Sequence, residues 1–139
     1  MPMGVTMKLT TRSEYALLAL IYLSRHGAGG FVPVSAIADA QGIPVKYLEQ
    51  ILLALKRARL VGSVKGQHGG YQLVKPADRI SLAEVIRLFD GALAATASAS
   101  QYFYAPTPIE RERRLVGFFK EIRDEVARRM ETTTIADVQ

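Results

Sequence analysis

The chain has no cysteine and no tryptophan, and only two histidines, His26 and His68, among 139 residues. Without thiolates there is no disulfide, no cysteine zinc or iron–sulfur ligand and no cysteine nucleophile. The two histidines lie far apart and neither belongs to an H-x-x-x-H or E-x-x-H pattern, so a metal site is not expected. Apolar runs are short as well: the longest, residues 15–23, ends at Ser24-Arg25, about half the roughly 20 residues of a membrane span. Residues 1–6 show neither a basic export region nor a small-residue cleavage site, Met7 is an alternative initiator, and the cytoplasm is the expected compartment. Ser63 and Ser81 lack a nearby base and no carboxylate pair is spaced for acid–base work, so an enzyme is not expected.

What is present suits one compact unit with an appended element. Half of the residues (49%) are hydrophobic, enough for a single core at this length. The formal charge is +5, and its placement matters more than its size. Residues 1–91 hold 11 Lys+Arg against 6 Asp+Glu, whereas residues 92–139 hold 7 against 7. A basic front half followed by a balanced rear half is the pattern of a unit that meets a polyanion joined to one that meets protein.

Thr11 and Glu14 have the spacing of a capping box and His26-Gly27 of a helix stop, which predicts a first helix over 12–25 with apolar residues around nearly its whole circumference. His26 there faces the C-terminal dipole of that helix. Residues 31–34 make a short extended piece, Ser35 caps a brief helix, and Gly42 ends it. Pro44 opens a third helix over 44–59, a helix-turn-helix arrangement with the second. At 100° per residue, Leu48, Ile51, Leu52, Leu55 and the stem of Arg59 share one face of it. Lys46, Glu49, Gln50, Lys56 and Arg57 lie opposite, with Tyr47 at the margin. Leu53 sits within that polar face, where it meets either a thymine methyl group or another protein surface. Glu49 is read equally well as an intrahelical partner of Lys46 or Lys56 and as a reader of bases.

Residues 60–65 and 71–76 read as two strands joined by the Gly-rich loop 66–70, a hairpin wing carrying Lys65 and His68. His68 at its tip suits either a phosphate contact or plain solvation. Ser81 and Glu84 form a second capping box for a helix that stops at Asp90-Gly91. The uncharged stretch 92–100 is a loop, and Tyr102, Phe103 and Tyr104 either line an effector pocket or pack on the following helix. Thr107, Pro108 and Glu110 start a long helix over 108–131, with Leu115, Phe119, Ile122, Val126 and Met130 as its apolar stripe. Glu110–Arg114, Asp124–Arg128 and Glu125–Arg129 are i,i+4 pairs on its wet side. Its far end needs apolar cover that a second copy of the chain supplies.

The expected fold is therefore mainly α with a small β-hairpin wing: a winged helix-turn-helix DNA-binding domain over 1–91, a linker over 92–107, and a dimerisation helix and tail over 108–139. The alternative is a winged-helix interaction module that has lost DNA binding and recruits protein through Leu53 and the basic face. The segments 47–52 (YLEQIL), 60–66 (LVGSVKG), 69–73 (GGYQL), 80–85 (ISLAEV) and 133–138 (TTIADV) resemble the Rrf2 family of bacterial transcription factors, over residues 7–138. The resemblance implies a homodimer, and points to a repressor, that places each recognition helix in a major groove and each wing in a neighbouring minor groove. It implies that Lys46, Glu49 and Gln50 face bases and that Lys65 approaches the minor groove. Many members carry three cysteines before the long helix that hold an iron–sulfur cluster. This sequence has none, with Ser98 and Tyr104 standing near two of those places, so no cluster and no other cofactor is expected. The implied partners are double-stranded DNA, a second copy and an effector not identified by sequence, with no membrane.

Overall fold

A computed structural model describes residues 9–91 and 105–139. In chain order the elements are helix α1 (Thr11–His26), α2 (Val34–Gln41), α3 (Val45–Arg57), strands β1 (Val61–Val64) and β2 (Gly70–Leu73), α4 (Leu82–Asp90), α5 (Arg113–Thr132) and α6 (Ile135–Val138). Short 3-10 turns stand at Gly27–Gly29, Ala77–Arg79 and Pro108–Arg111. The chain forms two compact units. One comprises Glu14–Ile80 with Thr134–Gln139, and the other Ser81–Thr133 with the start of the chain through Ser13.

In the first unit, α1 buries Ala16, Ala19, Leu20 and Leu23, an i, i+3, i+4, i+7 stripe. Tyr15, Leu17, Leu18, Ile21 and Tyr22 around it are only half-buried. Helix α2 runs from Val34, with Ser35 inside it and Pro33 as the N-cap, and Gly42 closes it in the left-handed conformation (φ 66°). Pro44 precedes α3 as its N-cap rather than opening the helix. Val32 joins the wing: its N–H donates to Tyr71 O at 2.7 Å and its carbonyl accepts from Tyr71 N–H at 2.8 Å. The hairpin itself pairs Val61 with Leu73 and Val64 with Gly70. At the chain's end, Ile135 N–H donates to Ile80 O at 2.9 Å and Gln139 accepts from the Ser24 hydroxyl.

Helix α3 ends two residues before the position expected from its apolar stripe. Ala58 is its C-cap, Arg59 turns left-handed (φ 65°), and Leu60 N–H returns to Leu55 O at 3.0 Å while Arg59 N–H reaches Lys56 O at 2.9 Å. This is the Schellman closure, whose apolar contact is made by the buried Leu60. Arg59 is therefore exposed and its stem adds nothing to the buried face. Among non-glycine described residues it alone has positive φ. A Cβ costs roughly 1 kcal/mol in that conformation. Arg59→Gly is expected to raise the unfolding free energy by about that amount, read as a higher denaturant midpoint at unchanged m-value.

In the second unit, α4 opens with the expected box: Ser81 Oγ accepts from Glu84 N–H and Glu84 Oε1 accepts from Ser81 N–H, both at 3.1 Å. The start of α1 differs from expectation. Thr10, not Thr11, is the cap, its hydroxyl oxygen accepting from Ser13 N–H at 3.3 Å. The buried Asp90 carboxylate fixes it there by accepting from Thr10 N–H at 3.1 Å and from the Thr10 hydroxyl. Arg12 lies 5.4 Å from the centre of the Phe89 ring. Residues 108–111 form a 3-10 turn rather than the first turn of the long helix, and Glu112, in extended conformation, separates the two. Helix α5 thus has 20 residues, about 30 Å of axis. It packs along α4, where Arg87 pairs with Glu131 at 3.6 Å. Asp124 takes its immediate neighbour Arg123 at 2.5 Å instead of Arg128.

Candidate nucleic-acid interface

Helix α3 is built to turn one face outward. Leu48, Ile51, Leu52 and Leu55 are wholly buried (0% exposed), which fixes the rotation of the helix about its axis. The residues farthest from that face are Lys46, Gln50, Leu53 and Arg57, spaced i, i+4, i+7 and i+11, and all four are exposed. Glu49 and Lys56 flank the stripe on one side and Tyr47 on the other. The sequence expectation for these side chains is met as far as exposure goes.

Their contacts divide them further. Lys56 Nζ donates to Ser63 Oγ at 2.7 Å, so this cation braces the end of α3 against β1. Tyr47, half exposed, meets Tyr15 of α1 edge to face with ring centres 6.1 Å apart. Glu49 is exposed, with no ion pair to Lys46 or Lys56 among the described residues.

The wing presents Lys65 and His68, both exposed, in a loop closed by Gly69 N–H donating to Gly66 O at 3.1 Å. Two glycines are demanded at its base. A Cβ on Gly69 would stand 2.1 Å from Val64 O, and one on Gly70 2.1 Å from Val32 O, with Gly70 at φ 147°. The Gly70 backbone is pressed against Val32, which ties the hairpin to that segment. The sequence places 66–70 in one Gly-rich loop, and the last two of its glycines serve close backbone approach.

In the other unit, α5 buries only Ala127. Leu115 (41%) and Phe118 (53%) are exposed, and Phe119, Ile122, Val126 and Met130 are half-buried. Phe118 was not in the expected stripe, yet it stacks edge to face on Phe119 and widens the apolar band. Tyr102, Phe103 and Tyr104, the expected effector pocket, lie outside the described residues. No helix of the described residues is long and apolar enough to cross a membrane.

The family model of Rrf2, described as an iron-dependent transcriptional regulator, matches residues 9–139. The chain is 35% identical over 135 residues to an HTH-type transcriptional regulator of Mycobacterium tuberculosis, covering 95% of this chain and 81% of that protein. It is 42% identical over 90 residues to the HTH-type transcriptional regulator IscR of Xenorhabdus nematophila, covering 65% of this chain and 55% of that protein. Among solved structures it is similar to CymR, the global cysteine regulator of B. subtilis, at 30% identity and TM-score 0.74, covering 94% of this chain and 95% of that one.

The iron in the family's description can be tested against the donors present. The sequence has no cysteine, and residues 92–104 contain no histidine, aspartate or glutamate either. Among the described residues no group of three or more such ligands comes together. This donor set does not fit an iron–sulfur cluster. The family model nevertheless spans residues 9–139 and the M. tuberculosis relative 95% of the chain: the chain belongs to the Rrf2 family of DNA-binding transcriptional regulators.

Proposed function

We propose that this chain is a homodimeric repressor that binds a palindromic operator in bacterial double-stranded DNA, in the cytoplasm, without an iron–sulfur cluster. The observation that carries the reading is the outward stripe Lys46, Gln50, Leu53 and Arg57 next to a wing bearing Lys65 and His68. A helix of this width fits the major groove, and a cationic hairpin beside it suits the flanking minor groove. The dimer is supported by the partly exposed apolar band of α5, which a two-fold partner presenting the same band would bury further.

In this reading the cations anchor and the amides select, because phosphate contacts set affinity and base edges set sequence preference. Gln50 stands one turn beyond Lys46 and offers an adenine both a donor and an acceptor. Gln50→Ala is expected to cost roughly 1–3 kcal/mol at the operator and little on scrambled duplex. Lys65→Ala weakens both DNAs and flattens the salt dependence by about one unit per protomer. Binding of each variant to operator and scrambled duplex over a salt series is the test. Equal losses for Gln50→Ala on the two DNAs remove it as a reader, and an unchanged salt slope for Lys65→Ala removes that anchor. Duplex binding by the wild type that does not respond to salt contradicts the reading as a whole and favours docking of a protein on the same face.

A further inference from the structure

We infer that Leu53 reads sequence directly, by packing on the C5-methyl group of a thymine and so selecting a T·A pair at one position of each half-site. The inference rests on the operator-binding reading. Leu53 is 43% exposed while the opposite face of α3 is wholly buried. It stands on the outermost line of the helix, about 10 Å along the axis from Lys46 and about 6 Å short of Arg57. An exposed leucine alone needs no explanation, but this one is set among Lys46, Gln50 and Arg57, with Lys56 alongside and Glu49 the single carboxylate. A protein docked on this line would have to desolvate those cations to reach one leucine. A DNA groove supplies phosphates for the cations and, among the base edges, one apolar group for the leucine, the thymine methyl. Leucine has neither donor nor acceptor, so opposite any other edge it leaves a base polar group unpaired.

The test uses duplexes that the wild-type chain selects from a randomised pool, with each thymine replaced in turn by deoxyuridine. That change deletes the methyl group and keeps the pairing. One position per half-site is expected to cost the wild type about fourfold in affinity, the equivalent of one buried methyl. The same replacement costs Leu53→Ala nothing, and a pool selected by Leu53→Ala no longer prefers thymine there. Leu53→Met, which restores a flexible apolar side chain, regains the preference. Leu53 is exposed, so both variants are expected to melt as the wild type does. A wild type that selects an operator in which no deoxyuridine position distinguishes it from Leu53→Ala overturns the inference and leaves operator binding standing. A wild type that selects no duplex at all overturns both.

Discussion

A chain carrying Ile122→Asp is expected to run as a monomer and to bind its operator at least a hundredfold more weakly than the wild type. Ile122 lies in the middle of the α5 band, between Phe119 and Val126, and all three are only half-buried within one chain. With spacings of 4, 3 and 4 from Leu115 to Val126, the band follows the alternation of a helix–helix seam. In a two-fold dimer each substitution appears twice, so two carboxylates enter an apolar seam that offers neither a partner nor water. Separating the protomers leaves each to hold one half-site alone, and the avidity lost with the second is about 10²- to 10⁴-fold. Light scattering reports the mass and fluorescence anisotropy the affinity. Glu121→Ala, exposed on the far side of the same helix, is expected to change neither. A full-mass dimer for Ile122→Asp would place the interface elsewhere.

Gly70→Ala is expected to lower stability by about 3 kcal/mol and the melting temperature by about 10 °C. Two costs combine. The backbone at φ 147° is one that side chains rarely adopt, and the added Cβ would lie 2.1 Å from the Val32 carbonyl oxygen, a backbone atom with no rotamer to yield. The paired bonds between Val32 and Tyr71 must then open, and with them goes the support that sets where Lys65 and His68 stand. Operator affinity is expected to fall even at temperatures where the rest of the chain is folded. Gly27→Ala is the control, since nothing lies within 4 Å of its added Cβ and its φ is not positive. It is expected to move stability by less than about 0.5 kcal/mol.

The parts of this molecule that were legible in the sequence are those governed by near neighbours along the chain. Ser81 and Glu84 satisfy each other's backbone donors three residues apart, and Gly42 ends α2 because a left-handed closure favours glycine. The outward face of α3 followed from the period of Leu48, Ile51, Leu52 and Leu55 alone. Part of what escaped depends on residues far apart. Asp90 braces Thr10 across 80 positions, which moved the cap of α1 by one residue, and no spacing rule reaches that distance. Arg59 hid the end of α3 because arginine is a good helix former while its place in the closure is one that glycine usually takes. Asp124 was settled by its immediate neighbour Arg123 rather than by the i,i+4 rule, and Lys56 reaches Ser63 on β1. Likewise, Gly70 could be seen as a turn residue, but the Val32 backbone pressed against it could not.

Wild-type affinity for a selected operator is expected to fall steeply with salt. Lys46, Arg57 and Lys65 from each of two protomers give six outward cations, so log affinity against log salt is expected to have a slope near −5, about a thousandfold loss between 50 and 200 mM. Scrambled duplex is expected to show a similar slope at an affinity at least about 10³-fold lower. Anisotropy titrations on both duplexes over that range measure the slope and the selectivity together. A steep slope with strong selectivity is the predicted result; a flat response, or equal affinity for operator and scrambled DNA, would contradict it.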